Sequence, residues 1–169
     1  MSNNPTDVHF PGNLKLVAFD VDGVFTDGRF YLSDDGVESK AFCTQDGYGI
    51  RQLLDAGIEV AVISGRKSVA VERRMAELGV KYVEQGARDK VAAFDMIVAE
   101  LGIDATETAY VGDDIPDLEL LGRAGFAVAV ANAVPAVKAA ANAVTTASGG
   151  SGAVREICEQ VLAAVGAGA

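Results

Sequence analysis

FDVDGVFTDG, residues 19–28, stands directly behind the apolar run LKLVAF at 14–19. Period two along an extended chain places Asp20 and Asp22 on one side, at the carboxyl end of a strand. Val21 between them turns to the core, and Gly23 lets the backbone bend sharply. Two carboxylates in one cleft repel, so they need a cation or a shared proton. An EF-hand loop is excluded: it requires a third oxygen ligand and then Gly where Val24 and Phe25 stand.

Outward from this stretch, short apolar runs alternate with helical patterns. IEVAVI, ETAYV and FAVAV are as continuously hydrophobic as parallel strands are, and a weaker strand lies near Lys81–Glu84. Helical patterns fall at about 46–56, 67–78, 89–101 and 115–123. Alternation of this kind predicts an α/β fold, a doubly wound parallel sheet whose ligands bind beyond the carboxyl ends of its strands. Residues 28–43, GRFYLSDDGVESKAFC, interrupt the alternation with two strand-like runs around the turn SDDG, a β-hairpin signal. The Ala/Val-rich stretch 127–147 reads as a strand, a short helix after Pro135 and a strand near Asn142–Thr145; GGSG at 149–152 hinges into a last helix at about 153–165. The expected organisation is a flexible tail over 1–13 and a single domain over 14–169, its C-terminal tail beginning near 148.

Half of the 169 residues are hydrophobic, enough for one substantial core. With 14 Lys and Arg against 24 Asp and Glu there is no basic run to neutralise nucleic-acid phosphates or an anionic membrane. No apolar run reaches membrane-span length and the N-terminus carries no signal-peptide core, so a cytoplasmic protein is expected. Cys43 and Cys158 have no metal-ligand spacing, and the single histidine, His9, sits in the expected tail, which removes histidine-based catalysis.

Three further pieces fall at strand ends or helix starts. Ser64-Gly65-Arg66 follows IEVAVI, Lys90 follows QGARD, and GDDIPD at 112–117 adds Asp113, Asp114 and Asp117 after ETAYV. Each has an ordinary explanation: Ser64 as a helix cap, Lys90 as a solvated helix residue, the acids as favourable charge at a helix start. All four lying at one sheet edge in this order favours chemistry.

The combination resembles the haloacid dehalogenase superfamily of phosphotransferases from about Leu14 to the end of the chain. The resemblance implies Asp20 as nucleophile, Asp22 as proton donor and acceptor, and Ser64 and Lys90 holding the transferring oxygens. It also implies Mg²⁺ on Asp20, the backbone carbonyl of Asp22 and Asp113, with Asp114 and Asp117 touching metal-bound water. A hairpin and one helix use nearly all the chain between Gly23 and Ser64, and one helix and one strand fill the interval from Lys90 to Asp113, which leaves no room for a cap domain. Capless members with such a hairpin are the phosphatases of 3-deoxy-D-manno-octulosonate 8-phosphate. TQDGYGIR, SGRKS, QGARDK, VGDDIPD and GAVRE are similar to theirs. That resemblance implies a phosphoric monoester hydrolase of lipopolysaccharide precursor synthesis, a homotetramer whose hairpins cover adjacent sites, and a C-terminal tail that closes over a neighbouring site. It implies substrate contacts at Asp22, Thr44, Gln45, Asp46, Gly47, Arg51, Arg66, Arg74 and Lys90, guanidinium groups suiting a substrate with both carboxylate and phosphate. Phosphatases of nine-carbon sialic-type 9-phosphates are similar too, but tend to carry Glu at the position of Arg66. Leu118 stands where a Trp is common, and Ser151 where the tail is commonly basic. A receiver domain places its acceptor Asp near mid-chain and has no such hairpin; a non-catalytic assembly protein would have lost one of the acids.

Overall fold

The computed structural model describes residues 9–167. In chain order the elements are β1 (Leu16–Phe19), β2 (Tyr31–Leu32), β3 (Glu38–Ser39), α1 (Thr44–Asp55), β4 (Glu59–Ser64), α2 (Val69–Leu78), β5 (Tyr82–Gln85) and α3 (Lys90–Leu101). There follow β6 (Thr108–Gly112), α4 (Leu118–Arg123), β7 (Phe126–Ala129), α5 (Pro135–Ala140), β8 (Ala143–Val144) and α6 (Ala153–Ala167). Six strands form one parallel sheet in the order β5-β4-β1-β6-β7-β8, so the chain winds outward from β1 first one way and then the other. The switch point lies between β1 and β6, where such sheets open a crevice for ligands. β2 and β3 pair antiparallel as the separate hairpin.

The central strands β1, β6 and β7 are wholly buried, and β4 is buried after its first residue, which is why their sequences are continuous apolar runs rather than alternating ones. Helices α1 and α6 pack on one another, as do α3 and α4. Glycines 47 and 49, poor helix formers, sit inside α1 because neighbours crowd it. A Cβ on Gly47 would lie 2.3 Å from an Arg74 nitrogen, and one on Gly49 3.1 Å from the Cys158 Cβ. No helix among the described residues is long and apolar enough to cross a membrane.

Two differences from the sequence reading have packing causes. Residues 1–8 of the expected tail lie outside the described residues, but Phe10 is buried with its ring 4.7 Å from that of Phe126, so the chain is anchored before Leu14. The expected C-terminal tail is largely core: Ala153, Val154, Ile157, Cys158 and Val161 on α6 are buried, and the Gly150 amide donates to the Val24 carbonyl at 3.2 Å. Residues 168–169 lie outside the described residues. Helix α1 also starts two residues earlier than expected, at Thr44 behind an extended Cys43.

Candidate active site

The carboxyl ends of β1, β4 and β6 and the start of α3 converge on an open cleft of about 290 Å³, whose lining includes Asp20, Asp22, Ser64, Arg66, Lys90 and Asp113. The loop after β1 is locked by Thr26, whose buried hydroxyl accepts from the amides of Gly23 and Gly28 at 3.3 and 3.1 Å. Gly23 has φ 87° and presses against Asp113; a Cβ there would lie 1.9 Å from a carboxylate oxygen. Only glycine both adopts that backbone and leaves that space. Asn132, which the sequence reading missed inside the Ala/Val-rich stretch, donates to the Gly23 carbonyl at 3.0 Å and accepts from the Gly149 amide at 2.6 Å. It ties this loop to the hinge before α6.

Lys90 reaches the cleft because Asp89 caps α3, accepting from the Ala92 amide at 2.9 Å. Its ammonium lies 3.0 Å from Asp20 and 2.8 Å from Asp117. Burial alone would pull the Lys90 pKa down, but the charges of Asp20 and Asp117 outweigh it and hold the lysine protonated. Asp117 is saturated. One oxygen takes Lys90 and the Tyr110 hydroxyl at 2.6 Å; the other takes the amides of Asp113 at 2.9 Å and Asp114 at 3.2 Å. It anchors the 112–117 loop and Lys90. Asp114 is exposed and caps the short 3-10 turn Ile115–Asp117.

The carboxylates outnumber their cations. Single oxygens of Asp20, Asp113 and Asp117 lie within 4.8 Å of one another. Burial, then the Asp117 charge, push the Asp20 pKa up to about 6 in spite of Lys90. Burial, then Asp20, Asp117 and Asp114, push Asp113 to about 8. One Asp113 oxygen is buried with no hydrogen-bond partner among the described residues. An orphaned carboxylate oxygen beside a second carboxylate suits a hard dication, which takes oxygen ligands and relieves the repulsion.

Ser64 is buried at the end of β4, its hydroxyl accepting from the Arg66 amide at 3.3 Å. Arg66 stacks on Phe30 at 4.3 Å and donates to Glu38 at 2.7 Å. The hairpin therefore touches its own chain's cleft. Lys40, which the sequence reading missed, donates from β3's end to Asp22. Glu38 and Lys40 alternate with Ser39, so period two was the available signal that both face inward.

Thr44, Gln45, Asp46, Gly47, Arg51 and Arg74 do not line this cleft. They gather where α1 meets α2 and α6. Asp46 is buried and accepts from the Arg155 amide at 3.0 Å, and burial raises its pKa against the pull of that bond and of Arg74. Arg51 donates to the Leu78 carbonyl at 3.1 Å, and Arg74 to Glu77 at 2.9 Å. Cys43 and Cys158 are free thiols; burial pushes that of Cys158 up, which leaves it inert.

Comparison with known proteins agrees with this geometry. The haloacid dehalogenase-like hydrolase family matches residues 83–157. The 3-deoxy-D-manno-octulosonate 8-phosphate phosphatase of Escherichia coli K12 is 46% identical over 154 residues, covering 91% of this chain and 82% of that protein. The Moraxella catarrhalis phosphatase of the same name, crystallised with magnesium ion, phosphate ion and KDO, is 44% identical with a TM-score of 0.88, over 90% of this chain and 88% of that one. The cobalt-bound Haemophilus influenzae enzyme is 42% identical with a TM-score of 0.89, over 92% and 91%. A capless doubly wound sheet, an acid-rich cleft at its switch point and identity at this level over nearly the whole chain lead to one assignment: this chain belongs to the 3-deoxy-D-manno-octulosonate 8-phosphate phosphatase family of haloacid dehalogenase-like hydrolases.

Proposed function

We propose that this chain hydrolyses 3-deoxy-D-manno-octulosonate 8-phosphate to the free sugar acid and phosphate, in the cytoplasm, during synthesis of lipopolysaccharide precursors. The observation that carries the reading is the cleft itself, which gathers Asp20, Asp22, Ser64, Lys90 and Asp113 at one sheet edge. It supports the following chemistry. An Asp20 oxygen attacks phosphorus in line as the bond to the sugar oxygen breaks, leaving an acyl phosphate on Asp20. Asp22 gives its proton to the departing sugar oxygen, then takes one from the water that attacks the acyl phosphate, and the Asp20 carboxylate is restored as phosphate leaves. Ser64 and Lys90 hold the transferring oxygens and offset their charge. Magnesium is the cofactor this donor set fits, held by Asp20, the Asp22 carbonyl and Asp113. When bound, it neutralises charge on the phosphoryl oxygens and on the crowded acids.

Arg66 supports the eight-carbon acid over a nine-carbon one, being a cation where the nine-carbon phosphatases tend to carry Glu. Thr44, Gln45, Arg51 and Arg74 do not line their own cleft, so as substrate contacts they serve the cleft of another copy, whereas Asp46 and Gly47 are buried within their own chain. The exposed apolar side chains of the hairpin, Phe30, Tyr31, Leu32 and Val37, support assembly into a homotetramer through that element. Phosphate release with Mg²⁺ from a panel of eight- and nine-carbon keto-acid phosphates tests the reading. Preference for the eight-carbon acid is expected. Preference for the nine-carbon acid overturns the reading of Arg66, and no release from any of them overturns the activity.

A further inference from the structure

Each of the two carboxylates at the end of β1 has its own buried lysine. Asp20 has Lys90, supplied by the start of α3. Asp22 has Lys40, supplied by the hairpin, and the Lys40 side chain is only 1% exposed although β2 and most of the turn are open to solvent. The Lys40 ammonium donates to one oxygen of Asp22 and lies 3.7 Å from Glu38. Glu38 in turn accepts from Arg66 at 2.7 Å, and the Arg66 Nε lies 3.8 Å from the other Asp22 oxygen. Burial alone would raise the Glu38 pKa, but the bond from Arg66 and the Lys40 charge hold it below the usual carboxylate range. The result is a closed run of alternating charge, two groups from the hairpin and two from the sheet edge. An ammonium withdrawn from water is tolerated only where carboxylates hold it this closely.

We propose that Lys40 is a positioning residue for Asp22, an inference that rests on the reading of Asp22 as proton donor and acceptor. A carboxyl group turns about its last bond, and either oxygen can face the cleft. By engaging one oxygen, Lys40 assigns the other to the reaction. In the protonated acid the engaged oxygen still accepts from Lys40 while the opposite O–H is presented to the sugar oxygen. In the carboxylate, that same oxygen, which Arg66 approaches only to 3.8 Å, takes the proton from water. The hairpin is thereby wired to the chemistry of its own chain. Lys40 touches no reacting atom, and its effect passes through Asp22.

A lysine that merely fastened the hairpin would affect all substrates alike, whereas one that orients a proton donor matters most where the leaving group needs a proton. A sugar alkoxide does; 4-nitrophenolate does not. The quantity to compare is kcat/KM, which runs only through departure of the leaving group. For Lys40→Met, which keeps the apolar stem, kcat/KM on the sugar phosphate is expected to fall by roughly 10–100-fold and on 4-nitrophenyl phosphate by less than ~3-fold, part of what a positioned acid contributes. Lys40→Arg recovers most of the loss, and Lys40→Gln takes the place of the Met variant if that one does not fold. Asp22→Asn, run in parallel, separates the two readings. If it shows the leaving-group dependence and the Lys40 variants lose equally on both substrates, the positioning role is overturned and the role of Asp22 stands. If Asp22→Asn itself shows no such dependence, the proton-donor reading falls and the Lys40 inference falls with it.

Discussion

The strand-end cleft and the hairpin differ in what holds them. Asp20, Ser64 and Asp117 are buried, and their positions follow from β1, β4 and β6, strands fixed by parallel pairing on both sides. The hairpin has two residues in each strand, and Tyr31, Leu32 and Val37 stand exposed. Two-stranded hairpins of this size have little stability of their own in water. What fastens this one to the sheet is polar: Lys40 on Asp22, Glu38 on Arg66, and the Arg66 guanidinium over Phe30. The floor of the cleft is built by the core, whereas the hairpin depends on the cleft's own charged groups and, in the proposed assembly, on other copies.

The sharpest way to break the comparison is at its buried end. Asp20→Asn is expected to lower turnover by about 10⁴-fold or more, the scale seen when a nucleophile is removed. Its fold should persist, because the neutral amide removes a charge that burial and Asp117 already disfavour. Phosphate release and a thermal melt check both halves, and retained turnover removes Asp20 as nucleophile. A smaller effect is expected at the exposed end. Deleting 29–42 takes away Lys40 and Glu38 as well as the exposed apolar side chains, so turnover should fall by roughly 10²-fold, the lower range for loss of acid–base positioning. Sedimentation should show the assembly broken. An intact tetramer after the deletion contradicts assembly through the hairpin, while unchanged turnover contradicts its link to Asp22.

Legibility in the sequence divides along the same line. The strands and the residues at their ends could be read because each signal is local: a buried parallel strand is a continuous apolar run, and Asp20, Ser64 and Asp113 each follow one directly. Lys90 was legible for a related reason, standing at the first position of a helix. Lys40 was not. Period two sets Glu38 and Lys40 on one face, but which group that face meets depends on the hairpin folding back over the loop after β1. Asp117 was placed in the right cleft, but its anchoring bonds were not legible, since they depend on the 3-10 turn that aims its carboxylate back at the amides of Asp113 and Asp114. Phe10 was lost in a polar stretch because its partner, Phe126, lies on β7, far along the chain. The grouping of Thr44–Gly47 with Arg51 and Arg74 is visible in the fold, whereas its distance from the chain's own cleft was not legible from spacing.

The smallest expected effect concerns the charge surplus that the cleft has and the hairpin lacks. In the chain without metal, burial and the neighbouring acids push Asp20 up to about 6 and Asp113 up to about 8, above the ordinary carboxylate value of 3.8. From about pH 4 to pH 8 the folded chain therefore holds protons that the unfolded chain has released, and its stability falls as pH rises through that window. A bound dication favours the ionised carboxylates and removes this penalty, but at acid pH it must first displace their protons. The gain in Tm on adding Mg²⁺ should accordingly be larger near pH 8 than near pH 5.5, by about 3 °C or more, the shift that roughly 1 kcal/mol makes in a domain of this size. In Asp113→Asn both the fall of metal-free stability with pH and the gain from Mg²⁺ should shrink, whereas in Lys40→Met, which alters the hairpin end, the metal-free slope set by Asp20 and Asp113 should persist. A gain from Mg²⁺ that does not change with pH would show that the acids of the cleft carry no unrelieved repulsion, and the contrast between a charge-strained cleft and a charge-balanced hairpin would fail there.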